Sequence, residues 1–458
     1  MRFLVVLLSF IIFFGAEALA FNSEVLQQLW DVPTNEAKYQ TIKSYNVGRV
    51  HAEEVYYLSR SYERKSALIF GYFCYPIHRS GKLPAILLSH GGGGTASLER
   101  AVNWASRGYA VLAIDLPGKG ENRAGSRSTG PDMDVKNLLR TQPDPSYNYL
   151  IHAVAAARNG ITFLSKRKEV DPDRIGMIGL SWGGVLTLLT NGQDNRLKAA
   201  VNVFGAGYIP EGCTWGDLFN AMPVYDKEVW EKYLDPKNFL ATQHAPILFV
   251  TGTNDHCYYL TTFQKSYEEV KVAKNVWLIP NLRHKFLSSA QSPALTWLDQ
   301  KLKGGGIFPE ITVLSLFQKG MEKIIIPVRA TVNSSIKNVR LYYAKGGPQQ
   351  WTEKKWIELV PYREKGLFYF AIPASLVNPE LLFYVNVKDN HGGAASSLIR
   401  SLFAVKLNDG TLTYALSSPA KKIYRHEKPI KLLNGMDCEN NYFYLSKQDN
   451  AYKMFNPH

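Results

Sequence analysis

Between residues 84 and 303 short apolar runs alternate with amphipathic helical stretches. This alternation constrains the fold more than any other feature of the chain. Pro84–Ser89 is a continuous apolar run, as a strand buried on both faces requires. A helical stretch near 96–107 ends at Gly108, and the strand Tyr109–Asp115 follows. Tyr147–Arg167 places Leu150, Val154, Ile161 and Leu164 on one helical face. The strand Arg174–Ile178 and a helix from about Gly183 come next. Ala199–Phe204, Pro246–Gly252 and Val276–Pro280 read as further strands. The last helix has Ser292 as its cap, Pro293 in its first turn and Gly304 at its end. Two more strands, Val50–Leu58 and Ala67–Pro76, precede the series. This pattern predicts an α/β architecture, a mostly parallel, doubly wound sheet covered by helices on both faces.

The period changes after Gly304-Gly305-Gly306. Ile311–Leu316, Lys323–Ala330, Asn338–Ala344, Trp356–Tyr362, Leu367–Ile372, Leu381–Val387 and Leu398–Val405 read as strands with no helical period between them. Short strands with turn signals predict a smaller all-β sandwich, immunoglobulin-like in shape. The expected organisation is an α/β domain over 21–303, a glycine-rich hinge over 304–310, a sandwich over 311–406 and an extension over 407–458. The extension carries the hairpin cue Asn408-Asp409-Gly410. The chain has 458 residues, 46% hydrophobic and 20% charged. That composition suits two folded domains and excludes disorder, collagen and a coiled coil as the main architecture.

The first twenty residues read as a secretory signal peptide. Arg2 precedes the apolar run Phe3–Phe14, and Ala18-Leu19-Ala20 supplies a small-x-small cleavage pattern. The run is shorter than the ~20 apolar residues that span a bilayer. The mature protein is expected to be secreted or periplasmic, with no transmembrane segment after cleavage. Four cysteines, Cys74, Cys213, Cys257 and Cys438, suit that compartment and lack the paired spacing of a zinc site. The sequon Asn333-Ser334-Ser335 matters only in a eukaryotic host.

Gly179-Leu180-Ser181-Trp182-Gly183 stands between a strand and a helix. In that setting G-x-S-x-G forms a tight turn that exposes Ser181 at the carboxyl edge of the sheet, as a nucleophile elbow. A serine hydroxyl needs a base, and the base needs an acid that fixes its tautomer. The acid is expected after the strand Pro246–Gly252, where Asp255 stands. The base is expected after Val276–Pro280, where His284 stands. His256 is a poorer candidate because it shares the loop of the acid. The oxyanion needs two donors. Trp182 N–H follows the nucleophile, and the run Gly91-Gly92-Gly93-Gly94 offers Gly91 or Gly92. His90 reads as structural.

These residues resemble the α/β-hydrolase superfamily. Lys82–Gly91 is similar to its oxyanion strand and turn, and Arg107–Gly118 to the strand that follows. Asp171–Gly184 is similar to the elbow of the acetyl xylan esterase and dienelactone hydrolase branches. Dienelactone hydrolases use a cysteine nucleophile, so Ser181 fits the esterase branch better. Arg283-His284-Lys285-Phe286 departs from the Gly-His-Glu of that branch. The resemblance implies a serine hydrolase that releases small acyl groups, acetyl among them, from carbohydrate, with neither metal nor organic cofactor. Prolyl-oligopeptidase-like and dipeptidyl-peptidase-like enzymes share the Ser-Trp/Tyr-Gly-Gly elbow, and some append a β-domain. A secreted serine peptidase is therefore the second reading. A non-catalytic glycan-binding protein on a relic hydrolase fold is the third.

Two long segments, 118–146 and 205–243, are expected to shape the pocket. The second carries Tyr208 and Trp215, aromatic faces suited to sugar rings. It also carries Cys213, and Cys257 lies beside Asp255, so Cys213–Cys257 is the expected disulfide. Residues 301–458 hold 22 basic and 12 acidic residues, with a dense cluster at Lys421, Lys422 and Arg425. An excess of +10 there allows contact with an acidic glycan or an anionic cell surface. No nucleic-acid partner is expected, since no such motif is present.

Overall fold

The structure is a computed structural model that describes residues 28–32, 38–119, 123–285, 291–332, 335–408 and 412–417. The expected signal peptide, Asn333 and Ser334 of the sequon, Asp409 and Gly410 of the hairpin cue, the Lys421–Arg425 cluster and Cys438 lie outside them.

The first domain is a nine-stranded sheet. Its strands are β1 (Tyr39–Val47), β2 (Val50–Tyr62), β3 (Lys65–Pro76), β4 (Leu83–Ser89), β5 (Ala110–Ile114), β6 (Val170–Leu180), β7 (Leu197–Val203), β8 (Ile247–Gly252) and β9 (Lys274–Ile279). The spatial order is β1-β2-β3-β5-β4-β6-β7-β8-β9. β5, β4, β6, β7, β8 and β9 run parallel, while β1, β2 and β3 add an antiparallel flank. Every residue of β4, β5 and β8 is buried, which explains their unbroken apolar sequences. β1 is the outer strand and almost wholly exposed, so its polar sequence carries no burial signal.

Helices cover both faces. α1 (Leu98–Ala105) is capped by Ser97, whose side chain accepts from the Arg100 N–H. α2 (Tyr149–Lys166) is capped by Asn148, α3 (Trp182–Asn191) is buried on all sides, and α4 (Leu260–Glu269) and α5 (Gln291–Lys303) follow. β4 lies between β5 and β6, so the chain changes direction of winding there. The carboxyl ends flanking such a switch point form a crevice for ligands. None of the described helices is long and apolar enough to cross a membrane.

The second domain is built of two antiparallel sheets. One holds β10 (Glu310–Val313), β11 (Phe317–Lys319), β12 (Lys323–Thr331), β15 (Tyr362–Glu364) and β16 (Leu367–Pro373). The other holds β13 (Ile336–Lys345), β14 (Ile357–Leu359), β17 (Glu380–Asp389), β18 (Ala394–Ser396), β19 (Arg400–Lys406) and β20 (Leu412–Ser417). The segment Trp356–Tyr362, expected as one strand, is two. Its β14 half pairs with β13, and its β15 half pairs with β16 in the opposite sheet. Pro361, which has no N–H to give to a ladder, stands at the break.

The domains are packed together. Leu278 N–H on β9 donates to Ser396 Oγ at 2.8 Å, and Asn386 Nδ2 donates to the Leu278 carbonyl at 3.0 Å. The outermost strand of the first sheet is thus covered by side chains of the second domain. Phe308 sets its ring edge-on to Trp297 of α5 at 5.1 Å.

Candidate active site

Ser181 sits between β6 and α3 with φ 57° and ψ −116°. A non-glycine residue is strained there and persists only where its surroundings fix it. Its N–H donates to the Val203 carbonyl of β7 at 2.8 Å. A Cβ on Gly179 would collide with the Gly183 carbonyl, and one on Gly183 would lie 2.6 Å from the Ser89 carbonyl oxygen. The two glycines of the motif are therefore demanded by backbone contact, and β4 ends directly against the elbow.

The structure brings Ser181, His284 and Asp255 together. His284 Nε2 lies 2.8 Å from Ser181 Oγ. His284 Nδ1 lies 2.9 Å and 3.0 Å from the two Asp255 oxygens. With Nδ1–H donating to the carboxylate, the Nε2 lone pair faces the serine hydroxyl. Asp255 is fully buried and accepts the N–H groups of Cys257 at 2.8 Å and Tyr258 at 3.2 Å. Thr251 Oγ1 donates to its other oxygen at 3.3 Å. Phe204 and Tyr258 wall the imidazole, with ring centres 4.8 and 5.9 Å away.

His256 lies beside the pair rather than in it. Its Nδ1 is 3.5 Å from the His284 N–H, and burial pushes its imidazole down to about 4. Asp255, His256 and Cys257 also form a group with metal-ligand spacing. Both Asp255 oxygens already face His284, so the group reads as the acid loop.

The glycine turn after β4 is held by His90, expected to be structural, and by Arg123 and Asp115, which the sequence did not flag. His90 is buried, and burial together with Arg123 keeps it neutral, well below the ordinary histidine range. Its Nδ1–H donates to the Gly91 carbonyl at 2.7 Å, and its Nε2 accepts the Leu116 N–H at 3.0 Å. Because the peptide is trans, a bound Gly91 carbonyl turns the Gly92 N–H to the opposite side. Arg123, only 1% exposed, donates to the carbonyls of Gly94, Leu116 and Pro117. Asp115, at the carboxyl end of β5, accepts the N–H groups of Ala96 at 2.6 Å and Arg127 at 2.8 Å. A lone aspartate closing an apolar strand was the available signal.

Trp215 packs at a tilt against Trp182, with ring centres 5.2 Å apart, and meets Tyr258 edge-on at 5.6 Å. Tyr208 lies elsewhere, under Lys265 Nζ at 3.6 Å from its ring centre, with its N–H on Asp235. A small apolar recess adjoins the elbow at Trp182. Leu138 and Leu139 from one long segment line it, with Trp182, Trp215, Phe219 and Trp230. The two segments are tied across it, with Thr141 Oγ1 donating to Asp226 at 2.7 Å and Trp230 Nε1 to the Leu138 carbonyl at 2.9 Å.

The expected Cys213–Cys257 disulfide is not formed. Cys213 is a buried free thiol. The two loops are neighbours, but Cys213 pairs with Tyr258 across an antiparallel bridge. Tyr258 rather than Cys257 stands opposite Cys213, and Cys257 is engaged in a disulfide that does not include Cys213.

A serine on a strained elbow at the switch point, with this sheet order, defines an α/β-hydrolase. Residues 20–206 match the acetyl xylan esterase family AXE1. Acetyl esterase Axe7A of Xylanibacter ruminicola is 24% identical over 301 residues, which is 62% of this chain and 68% of that one. Acetyl xylan esterase 1 from Thermoanaerobacterium sp. JW/SL YS485 superposes with a TM-score of 0.52 at 19% identity, over 60% of this chain and 92% of its own. The acetyl xylan esterase from Paenibacillus sp. R4 gives 0.51 at 22% identity, over 61% and 92%. The chain has the α/β-hydrolase fold and is similar to acetyl xylan esterases.

Proposed function

We propose that the protein is an exported serine esterase that removes acyl groups, acetyl foremost, from carbohydrate. The observation that carries this reading is the continuous hydrogen-bonded path Ser181–His284–Asp255 on a strained elbow. In the proposed reaction Ser181 Oγ attacks the ester carbonyl carbon while His284 Nε2 takes its proton. The tetrahedral oxyanion receives hydrogen bonds from the Trp182 N–H and from Gly91 or Gly92. Collapse expels the alcohol, which takes the proton from His284 and leaves an acyl-serine. Water, deprotonated by the same histidine, then adds to the acyl carbon and releases the acid. Asp255 keeps the imidazole in its tautomer and stabilises the imidazolium.

The similarity to acetyl esterases supports an acetyl ester as substrate, and the apolar leader supports action outside the cytoplasm. Among the described residues, none that lines the small recess beside Trp182 is acidic, which favours an ester over a substrate with a free amine. The 2.8 Å contact between His284 and Ser181 supports catalysis over a relic fold kept for glycan binding.

The test is hydrolysis of a short acyl ester and of acetylated xylo-oligosaccharide, wild type beside Ser181→Ala, with an amino-acyl anilide in parallel. Ester turnover should fall by at least ~10³-fold in Ser181→Ala, because only binding and the oxyanion donors remain. Turnover of the anilide alone would move the protein to the peptidases. Ester turnover that survives Ser181→Ala would sink the assignment of the nucleophile.

A further inference from the structure

The loops that carry Asp255 and His284 are tied to the second domain by the side-chain amides of Asn254, which is buried, and Asn281. Asn254, next to Asp255, is only 6% exposed. Its Nδ2 donates to the carbonyls of Lys354 at 2.7 Å and Thr352 at 3.2 Å. Asn281, three residues before His284, exchanges two bonds with Trp356. Asn281 Nδ2 donates to the Trp356 carbonyl at 2.9 Å, and the Trp356 N–H donates to Asn281 Oδ1 at 2.8 Å. The two loops are also laced to each other. Thr253 Oγ1 donates to Asn254 Oδ1 and accepts the Asn281 N–H, both at 2.8 Å. The Asn254 N–H donates to the Leu282 carbonyl at 2.9 Å.

The far end of these tethers is rigid. Trp351 and Trp356 are each 3% exposed and stack at an interplanar angle of 10°. Trp356 also packs edge-on against Tyr384 of β17, with ring centres 5.1 Å apart. Asn281 adopts a left-handed backbone with φ 58°. The buried Nδ2 of Asn254 gives its hydrogen bonds to the second domain and loses them when that domain shifts, and the loop must then rearrange to satisfy it.

We infer that the turn Trp351–Trp356 of the second domain is a positioning element for the Asp255–His284 pair, acting through Asn254 and Asn281. The second domain would then belong to the hydrolytic machinery, a role distinct from glycan binding. The inference rests on the reading of Ser181, Asp255 and His284 as catalytic. Placement errors near 1 Å at a reacting pair cost on the order of 10²-fold in rate, so loosening either loop should register in turnover.

Asn281→Gly keeps the left-handed backbone and removes the tether. Asn254→Ala removes the other. Gln264→Ala is the control. Gln264, on α4, exchanges a matching pair of bonds with Ile399 of the second domain and carries no triad loop. The readouts are kcat and KM for a short acyl ester, the rate at which a fluorophosphonate phosphonylates Ser181 with loss of fluoride, and the melting temperature. Both asparagine variants should lose about tenfold or more in kcat with KM within about twofold, and label more slowly in step. Gln264→Ala should melt lower yet keep both rates. Asparagine variants that match Gln264→Ala in kcat and labelling would overturn the inference. A wild type that labels but leaves the ester intact would overturn the esterase reading, while the labelling rates still decide positioning. A wild-type Ser181 inert to the probe would overturn both.

Discussion

At the scale of single residues, the elbow shows how backbone contact fixes side-chain identity. Gly183 has the carbonyls of Ser89 and His90 at 2.6 and 2.7 Å from where a Cβ would stand. Neither carbonyl is the movable end of a side chain, so Gly183→Ala must push β4 and α3 apart. That displacement carries the Gly91–Gly92 turn away from the Trp182 N–H. We expect a stability loss of about 1–3 kcal/mol from overpacking and a turnover loss on the order of 10²-fold. Thermal melts beside kcat measurements check this, and an alanine variant with wild-type turnover would remove the argument. A second residue, His152 of α2, is 3% exposed and donates from Nε2 to the Ser146 carbonyl at 3.1 Å. Burial, helped by Arg60, pushes its imidazole down to about 4 from the ordinary 6.5. The unfolded chain therefore binds a proton that the folded chain refuses. This contribution is fully present above about pH 6.5 and is lost as pH falls toward about pH 4. Asp235, held up at about 6 by burial, titrates with the opposite sign, so the comparison belongs between variants. His152→Gln should lower the melting temperature near neutral pH yet lose less of it across that window than wild type. Parallel pH slopes for the two would rule the histidine out.

At the scale of elements, what the sequence made legible follows from burial. β4, β5 and β8 are buried throughout, and their unbroken apolar runs announced them. β1 faces solvent along almost its whole length, so Tyr39–Val47 shows no buried face to set it apart as a strand. Ser181, Asp255 and His284 were legible as a candidate set because each follows the buried end of a core strand, where chain order suggests a role. The supports of the site were not. Arg123 comes from a loop and reaches three carbonyls whose positions only the fold brings together. The cysteine pairing failed for a similar reason. Proximity of the two loops was readable, but the register that sets Cys213 opposite Tyr258 depends on one residue of offset. The break at Pro361 lay in plain view, but a proline in a short run marks an edge or a turn alike.

At the scale of the whole molecule, the second domain closes the sheet of the first. β9 is the last strand in the sheet order, and an uncovered last strand offers its N–H and C=O groups to any other chain. Here Ser396 and Asn386 take up the N–H and the carbonyl of Leu278, and Asn275 Nδ2 donates to the Pro309 carbonyl at 2.9 Å. Trp277, 2% exposed, lies beneath Lys388 Nζ at 5.1 Å from its ring centre. A chain stopped after Lys303 uncovers that strand together with Trp277 and the amides of Asn254 and Asn281. Large apolar side chains beside a free strand edge are the conditions for edge-to-edge association. Residues 21–303 expressed alone should therefore elute as aggregates, or melt well below the full chain if kept dilute. Size-exclusion chromatography with light scattering, run beside the full chain at equal concentration, reads the outcome. A well-dispersed fragment with the full chain's melting temperature would show that the first domain closes its own sheet and that the tethers at Asn254 and Asn281 are dispensable for its fold.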